Sequence, residues 1–324
     1  MSQDSRRKRR GERLMVPDAE FSSYYGRAVL KEPTWEATDI AGYLFLGGLA
    51  GASSVLAAGA QLSKRAEVER ASKVAAISAI SLSLVALVHD LGRPERFINM
   101  LRVVKPTSPM SVGSWVLSGY APLAGLAAAS RVTGRAPKIG AAATAGAALL
   151  GPAVASYTAV LVADTAVPAW HEGFRELPFV FVGSGAAAAA GLALLAAPVE
   201  ETAPVRRLAV LGATAELAAG ARMEQRAGLI AETYRQGRAG QLLRAARLLT
   251  AAGAVGAAFG RRSRAIAAVS GAALLAGSAC TRFGIFEAGR ASARDPKYTV
   301  GPQRERLSEA AANQVAAESN SAES

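Results

Sequence analysis

The residues that hold metals are nearly absent from this sequence. There is one cysteine, Cys280, and there are two histidines, His89 and His171. A lone cysteine forms no intrachain disulfide, and an iron–sulfur cluster takes about four thiolates. The two histidines fall at predicted helix ends on the same side. They could ligate at most one haem, in the wrong place to relay electrons across a bilayer, which argues against a two-haem cytochrome. Any electron transfer would have to run through a bound organic carrier or a partner. Aromatic residues are also scarce, at 6%. Charge is missing altogether from residues 40–62, 110–130 and 139–163. A soluble helix needs a charged stripe at about every third or fourth residue. An Ala-rich soluble bundle is therefore the weaker reading, and a membrane protein the stronger.

What is present fits a bilayer. The apolar runs are about as long as the 20 residues that a helix needs to cross it. Mean hydropathy is only +0.21 because alanine is weakly apolar and the two ends are polar. The pattern predicts an all-α integral membrane protein with eight transmembrane helices, arranged as two four-helix bundles. Residues 1–38 form a polar basic tail, 39–287 the helical domain, and 288–324 a polar C-terminal tail. The predicted helices cover 39–62, 74–89, 110–132, 138–164, 179–197, a stretch from 205, 242–259 and 265–286, with a basic turn over 64–73 and a kink at Pro152. The leader contains RRKRR but no short apolar segment of a secretory signal.

The formal net charge is +12. The basic residues flank apolar helices, so anionic lipid and topology explain them better than nucleic acid does. The short connections opposite the termini are dense in Lys and Arg, which leans toward termini outside; RRKRR, which would then have to cross, leans the other way.

The densest polar chemistry lies between Val88 and Trp115. His89 and Asp90 end the second helix. Arg93, Arg96, Phe97, Arg102 and Lys105 follow in a loop that Pro94, Pro106 and Pro109 keep from being one helix, with 97–104 as a short interfacial segment. Tyr157 and Asp164 fall near the end of the fourth helix, on the same side. Ionisable groups at membrane depth are costly and usually functional. A tyrosine hydroxyl can hydrogen-bond a carbonyl of a bound organic carrier, and His89, Asp90 or Asp164 can accept a proton. His89 and Asp90 could equally cap the helix and hold Arg93 or Arg96. Glu216, in mid-helix, must be paired, protonated or in water; it reads as a proton-path residue or as the partner of Arg222 or Arg282.

Two stretches carry a resemblance. HDLGRPERF from His89 to Phe97, followed by KPTSPMSVGSW from Lys105 to Trp115, resembles the signature of the NrfD/PsrC family, the integral-membrane subunits of polysulfide, nitrite and related reductases. YLFLGG from Tyr43, YTAVL from Tyr157 and PAWHE from Pro168 agree with it. The resemblance implies the same eight spans, no haem or iron–sulfur cluster in this chain, and menaquinol or ubiquinol bound near one face of a prokaryotic cytoplasmic membrane. It also implies electron exchange with an iron–sulfur subunit that serves a molybdopterin catalytic subunit. The family's quinone-contacting tyrosine falls on Tyr157. Glu36, Asp39 and Tyr43 stand near the start of the first helix, where relatives have polar residues. Arg93, Arg96, Phe97, Arg102 and Lys105 suit an acidic docking partner. The alternative is a transporter or a passive anchor, for which Glu216 and Pro152 would serve; the lack of a mid-membrane polar cluster argues against it.

The purified subunit alone is expected to contain neither haem nor iron. A Soret band, or stoichiometric iron, in a clean preparation would overturn the reading based on an organic carrier.

Overall fold

The structure, a computed structural model, describes residues 30–90, 95, 99–261 and 263–303. Among the described residues it is helical, without strands. The long helices are α1 (Ala37–Leu62), α2 (Ala66–Asp90), α3 (Pro109–Thr133) and α4 (Pro137–Ala163). A short α5 (Pro168–Glu172) leads to α6 (Leu177–Ala196) and α7 (Ala203–Arg226). A short α8 (Ala231–Arg235) leads to α9 (Gly237–Phe259) and α10 (Arg264–Arg294). Seven of them, α1, α2, α3, α4, α6, α9 and α10, are long and apolar enough to cross a membrane. The 24-residue α7 has the length but carries Arg206, Arg207, Glu216, Arg222, Glu224 and Arg226.

Helix starts follow from proline. Pro109, Pro137, Pro168, Pro178 and Pro204 occupy first-turn positions, where the missing N–H costs nothing. Gly134, at φ 70°, ends α3 in the left-handed conformation. The proximal face of the molecule holds the start of α1 and the end of α10; the distal face holds the short turns of each helix pair.

Three boundaries differ from the sequence pattern, one of them the start of α9, at Gly237 where 242 was expected. The basic turn expected over 64–73 shrinks to Ser63–Arg65, and α2 begins at Ala66. The charges that suggested a turn are used inside the helix. Lys73 Nζ donates to Glu69 Oε1 at 2.6 Å and Gln61 Oε1 at 3.0 Å. The Glu201 carboxylate accepts from the N–H groups of Glu67 and Val68 at 3.0 and 3.2 Å, capping the first turn. The last helix runs past 286 to Arg294, because Glu32 pairs with both Arg290 and Arg294 on its final turns.

Apolar packing forms two layers. One joins Tyr43, Tyr120, Tyr157, Trp170, Phe181 and Phe286. The other joins Leu56, Val68, Leu194, Val205 and Leu274 toward the distal face. Lipid offers no hydrophobic drive between helices, so close approach of small residues does that work. A Cβ on Gly51 would strike the carbonyl oxygen of Gly151, and one on Gly151 would strike that of Gly51. Helices α1 and α4 thus meet backbone to backbone.

Gly151→Val should push α1 and α4 apart and destabilise the protein by about 1–3 kcal/mol. Gly59→Ala, at a position with open space around it, serves as the control. Thermal unfolding of both variants in detergent checks this; equal midpoints would mean that the contact is not tight.

Candidate functional site

The site begins with the segment that precedes α1. Glu32 accepts from Arg290 Nε at 3.1 Å and from Arg294 Nη2 at 2.6 Å, which fastens the segment to α10. The hydrogen bond from Arg294 holds the Glu32 carboxyl below its usual range. Trp35 stacks on Trp170, with ring centroids 5.8 Å apart and planes 21° apart. Trp170 is fully buried and donates from Nε1 to the carbonyl of Ile285 at 2.8 Å. The segment is thereby drawn across the proximal ends of the first helices.

Beneath it lies a cavity of about 260 Å³. Ile40, Tyr43 and Leu44 come from α1, Leu87 and Asp90 from α2, Met110, Gly113, Ser114 and Leu117 from α3, and Tyr157, Leu161 and Val162 from α4; Thr34, Trp35 and Met100 complete the wall. Tyr43 and Tyr157 each lie six residues inside the proximal end of their helix, about 9 Å deep by helix rise. Their hydroxyls are hydrogen-bonded to each other. Asp90, at the mouth, accepts from the Glu36 N–H at 3.3 Å. The cavity thus combines apolar walls, a buried pair of hydroxyls and one carboxylate at its opening. Such a space suits a flat, neutral molecule with a polar edge.

Of the residues singled out by sequence, Tyr157, Tyr43 and Asp90 meet in this cavity. His89 points outward, with 74% of its side chain exposed, and its Nδ1 lies 2.6 Å from Asp39 Oδ2. Glu36 reaches the site only through its backbone. Asp164 is exposed just past the end of α4 and does not line the cavity. Arg102 and Lys105 are exposed on the following loop; Arg93, Arg96 and Phe97 lie outside the described residues. Trp35, Met100 and Gly113 did not stand out in the sequence. For Gly113 a signal was there, in the GSW that closes the SPMSVGSW run. A Cβ on it would strike the ring of Tyr157, so glycine is what lets that ring lie flat against α3.

Glu216 lies elsewhere, 4% exposed, among α7, α9 and α10. It accepts from Thr281 Oγ1 at 2.5 Å and Thr250 Oγ1 at 3.5 Å. A second cavity of about 80 Å³ connects it with Glu224 and Arg247 nearer the proximal face. Of its two candidate partners, Arg222 is taken by Glu176 at 3.8 Å. Arg282 is its neighbouring charge, though no hydrogen bond joins them. Among the described residues no cluster of three or more His, Cys, Asp or Glu could hold a metal ion.

A family model described as polysulphide reductase, NrfD, matches residues 31–212. That span begins just before Trp35 and takes in α1 through α6 and the first part of α7, including every helix that walls the larger cavity. No curated protein matches the chain.

Gly113→Ala should cost about 1–3 kcal/mol where the Tyr157 ring is present and close to nothing in a Tyr157→Ala background, since only the ring is struck. A double-mutant cycle on thermal unfolding measures this. Additive effects would separate Gly113 from the ring.

Proposed function

Because this chain belongs to the polysulphide reductase NrfD family, we propose that it is the membrane subunit of a respiratory oxidoreductase complex and that its tyrosine-lined cavity receives a quinone head group. The observation that carries this reading is the buried hydroxyl pair of Tyr43 and Tyr157 beneath an apolar vestibule with Asp90 at its mouth. The residues fit such a group. Its ring would meet Leu44, Leu117 and Leu161, and its oxygen would meet a phenol donor.

A bound quinol supplies two electrons and two protons. The two phenols share one hydrogen bond, so one hydroxyl can accept from the other while donating outward. That arrangement positions a donor without exposing an unpaired hydroxyl. Asp90 is the proton acceptor in this reading, because it is the carboxylate that lines the cavity. The exposed His89–Asp39 pair beside it offers the next exchange with water. Asp164, exposed beyond α4, stands one step further out.

The electrons leave to an iron–sulfur subunit docked at the proximal face and from there reach a molybdopterin subunit. The loop sequence between α2 and α3, with Arg93, Arg96, Arg102 and Lys105, provides positive charge for that docking, and Phe97 an apolar contact. Helix α7 is the eighth span. Its length suffices, and its carboxylate Glu216 is turned into the protein. The first four spans then form the quinone-binding bundle and α6, α7, α9 and α10 the second. Glu216, on its separate cavity, is the proton-path residue of that second bundle. The complex sits in a prokaryotic cytoplasmic membrane.

Tyr157→Phe keeps the ring and removes one hydroxyl. One hydrogen bond between neutral groups is worth about 0.5–1.5 kcal/mol, so apparent quinol affinity should fall roughly 2- to 13-fold. Asp90→Asn should slow turnover more than it weakens binding. Quinol oxidation by membranes that contain the assembled complex measures both; wild-type rate and affinity in the two variants would place the quinone elsewhere.

A further inference from the structure

The distal face carries a second feature, well away from the tyrosine cavity. Between the start of α7 and the end of α9 lies an open cleft of about 660 Å³. Arg206 and Arg207 of α7 and Arg261, just past α9, stand at its rim. Val210 and Leu211 sit one helical turn below Arg206 and Arg207, about 6 Å deeper toward the apolar layer, and Ala258 faces them from α9. Leu211 is 68% exposed and the neighbouring Phe259 80% exposed, so an apolar wall lies open beneath a cationic rim.

Among the described residues the three arginines have no carboxylate partner. Arg206 donates to Thr202 Oγ1 at 2.8 Å and to the Val199 carbonyl at 3.5 Å, both neutral acceptors. The charges that act on Arg206 are those of Arg261, Arg207 and Arg65, all positive. The nearby acid Glu201 is turned away, with its carboxylate spent on the first turn of α2. Among the described ion pairs none joins Glu200, exposed in the same connection, to any of the three. The first turn of α7 also starts here, at Ala203, and its free N–H groups add to the positive field. Like charges gathered at one rim repel, and the arrangement becomes favourable when an anion sits among them.

We propose that this cleft binds an anionic phospholipid, its phosphate among Arg206, Arg207 and Arg261 and one acyl chain along Val210 and Leu211. A free phosphate would leave the apolar wall unused, and a neutral lipid would leave the arginines uncompensated. Only an amphiphile with one negative head and a hydrocarbon tail answers both halves of the cleft. The site lies outside the walls of the proposed quinone cavity and stands whether or not that cavity binds quinone.

The test uses the full chain purified in zwitterionic detergent and examined by native mass spectrometry with phosphatidylglycerol, phosphatidylcholine or inorganic phosphate. Phosphatidylglycerol should be retained in preference to phosphatidylcholine, and inorganic phosphate should not displace it. Each arginine near the surface is worth roughly a fivefold change, so R206Q/R207Q/R261Q should weaken retention roughly 100-fold. The matching Lys variants should keep most of it. R261Q alone alters a residue beyond the end of α9 and should cost roughly fivefold with the helices intact, which keeps the test valid if the triple variant fails to fold. Equal retention of the two lipids, retention unchanged in R261Q, or displacement by inorganic phosphate would overturn the proposal. So would loss of a protein partner in these variants without any change in lipid retention.

Discussion

Arg282 is a cation buried at the centre of a protein that has few ways to neutralise it. Its side chain is inaccessible to solvent, and Nη2 donates to the Phe181 carbonyl of α6 at 2.7 Å while Nε donates to the Leu44 carbonyl of α1 at 3.4 Å. Its guanidinium lies 3.7 Å from the centroid of the Phe181 ring. Gly48 makes this possible: a Cβ there would come within 3.1 Å of Nη2. The compensating negative charge is Glu216, on α7. One side chain of α10 therefore holds two other helices, α1 and α6.

This cation also stands between the two cavities. Leu44, whose carbonyl it holds, lines the space beside Tyr43, and Glu216 and Thr281 line the other. The two spaces share no lining residue. A shift of α1 or α6 at one would be felt through the carbonyls of Leu44 and Phe181 at the other. The physical basis for such coupling is the shared guanidinium, which cannot give up either carbonyl without leaving a buried donor unpaired; its Nη1 already lacks a partner.

Much of the fold was legible because the bilayer demands long charge-free runs, and α1, α3 and α4 show them plainly. The start of α2 was not, because Glu69 and Lys73 read as a polar turn until their pairing one turn apart is seen. Helix α7 resisted for a similar reason: its charges are spread along its length, yet Glu216 is turned inward. The site was half legible. The motif marked the right neighbourhood, but successive residues on a helix point about 100° apart. His89 and Asp90 therefore face opposite environments, which no reading of their adjacency could decide. The stacking of Trp35 was not legible, since it depends on Trp170, far along the chain.

The stack of Trp35 on Trp170 bears on how the protein is made. Trp35 belongs to the earliest wall of the tyrosine cavity, yet the ring on which it rests is held by the carbonyl of Ile285, in the second half of the last long helix. Four helices emerge from the ribosome before Trp170 does, and all but the final one before Ile285. The nascent chain can insert and pair its early spans while its hydroxyl pair is still unroofed. The cavity reaches its finished shape only when the last span has entered the membrane and closed over the first, so an interrupted chain would carry the tyrosines without the chamber that surrounds them.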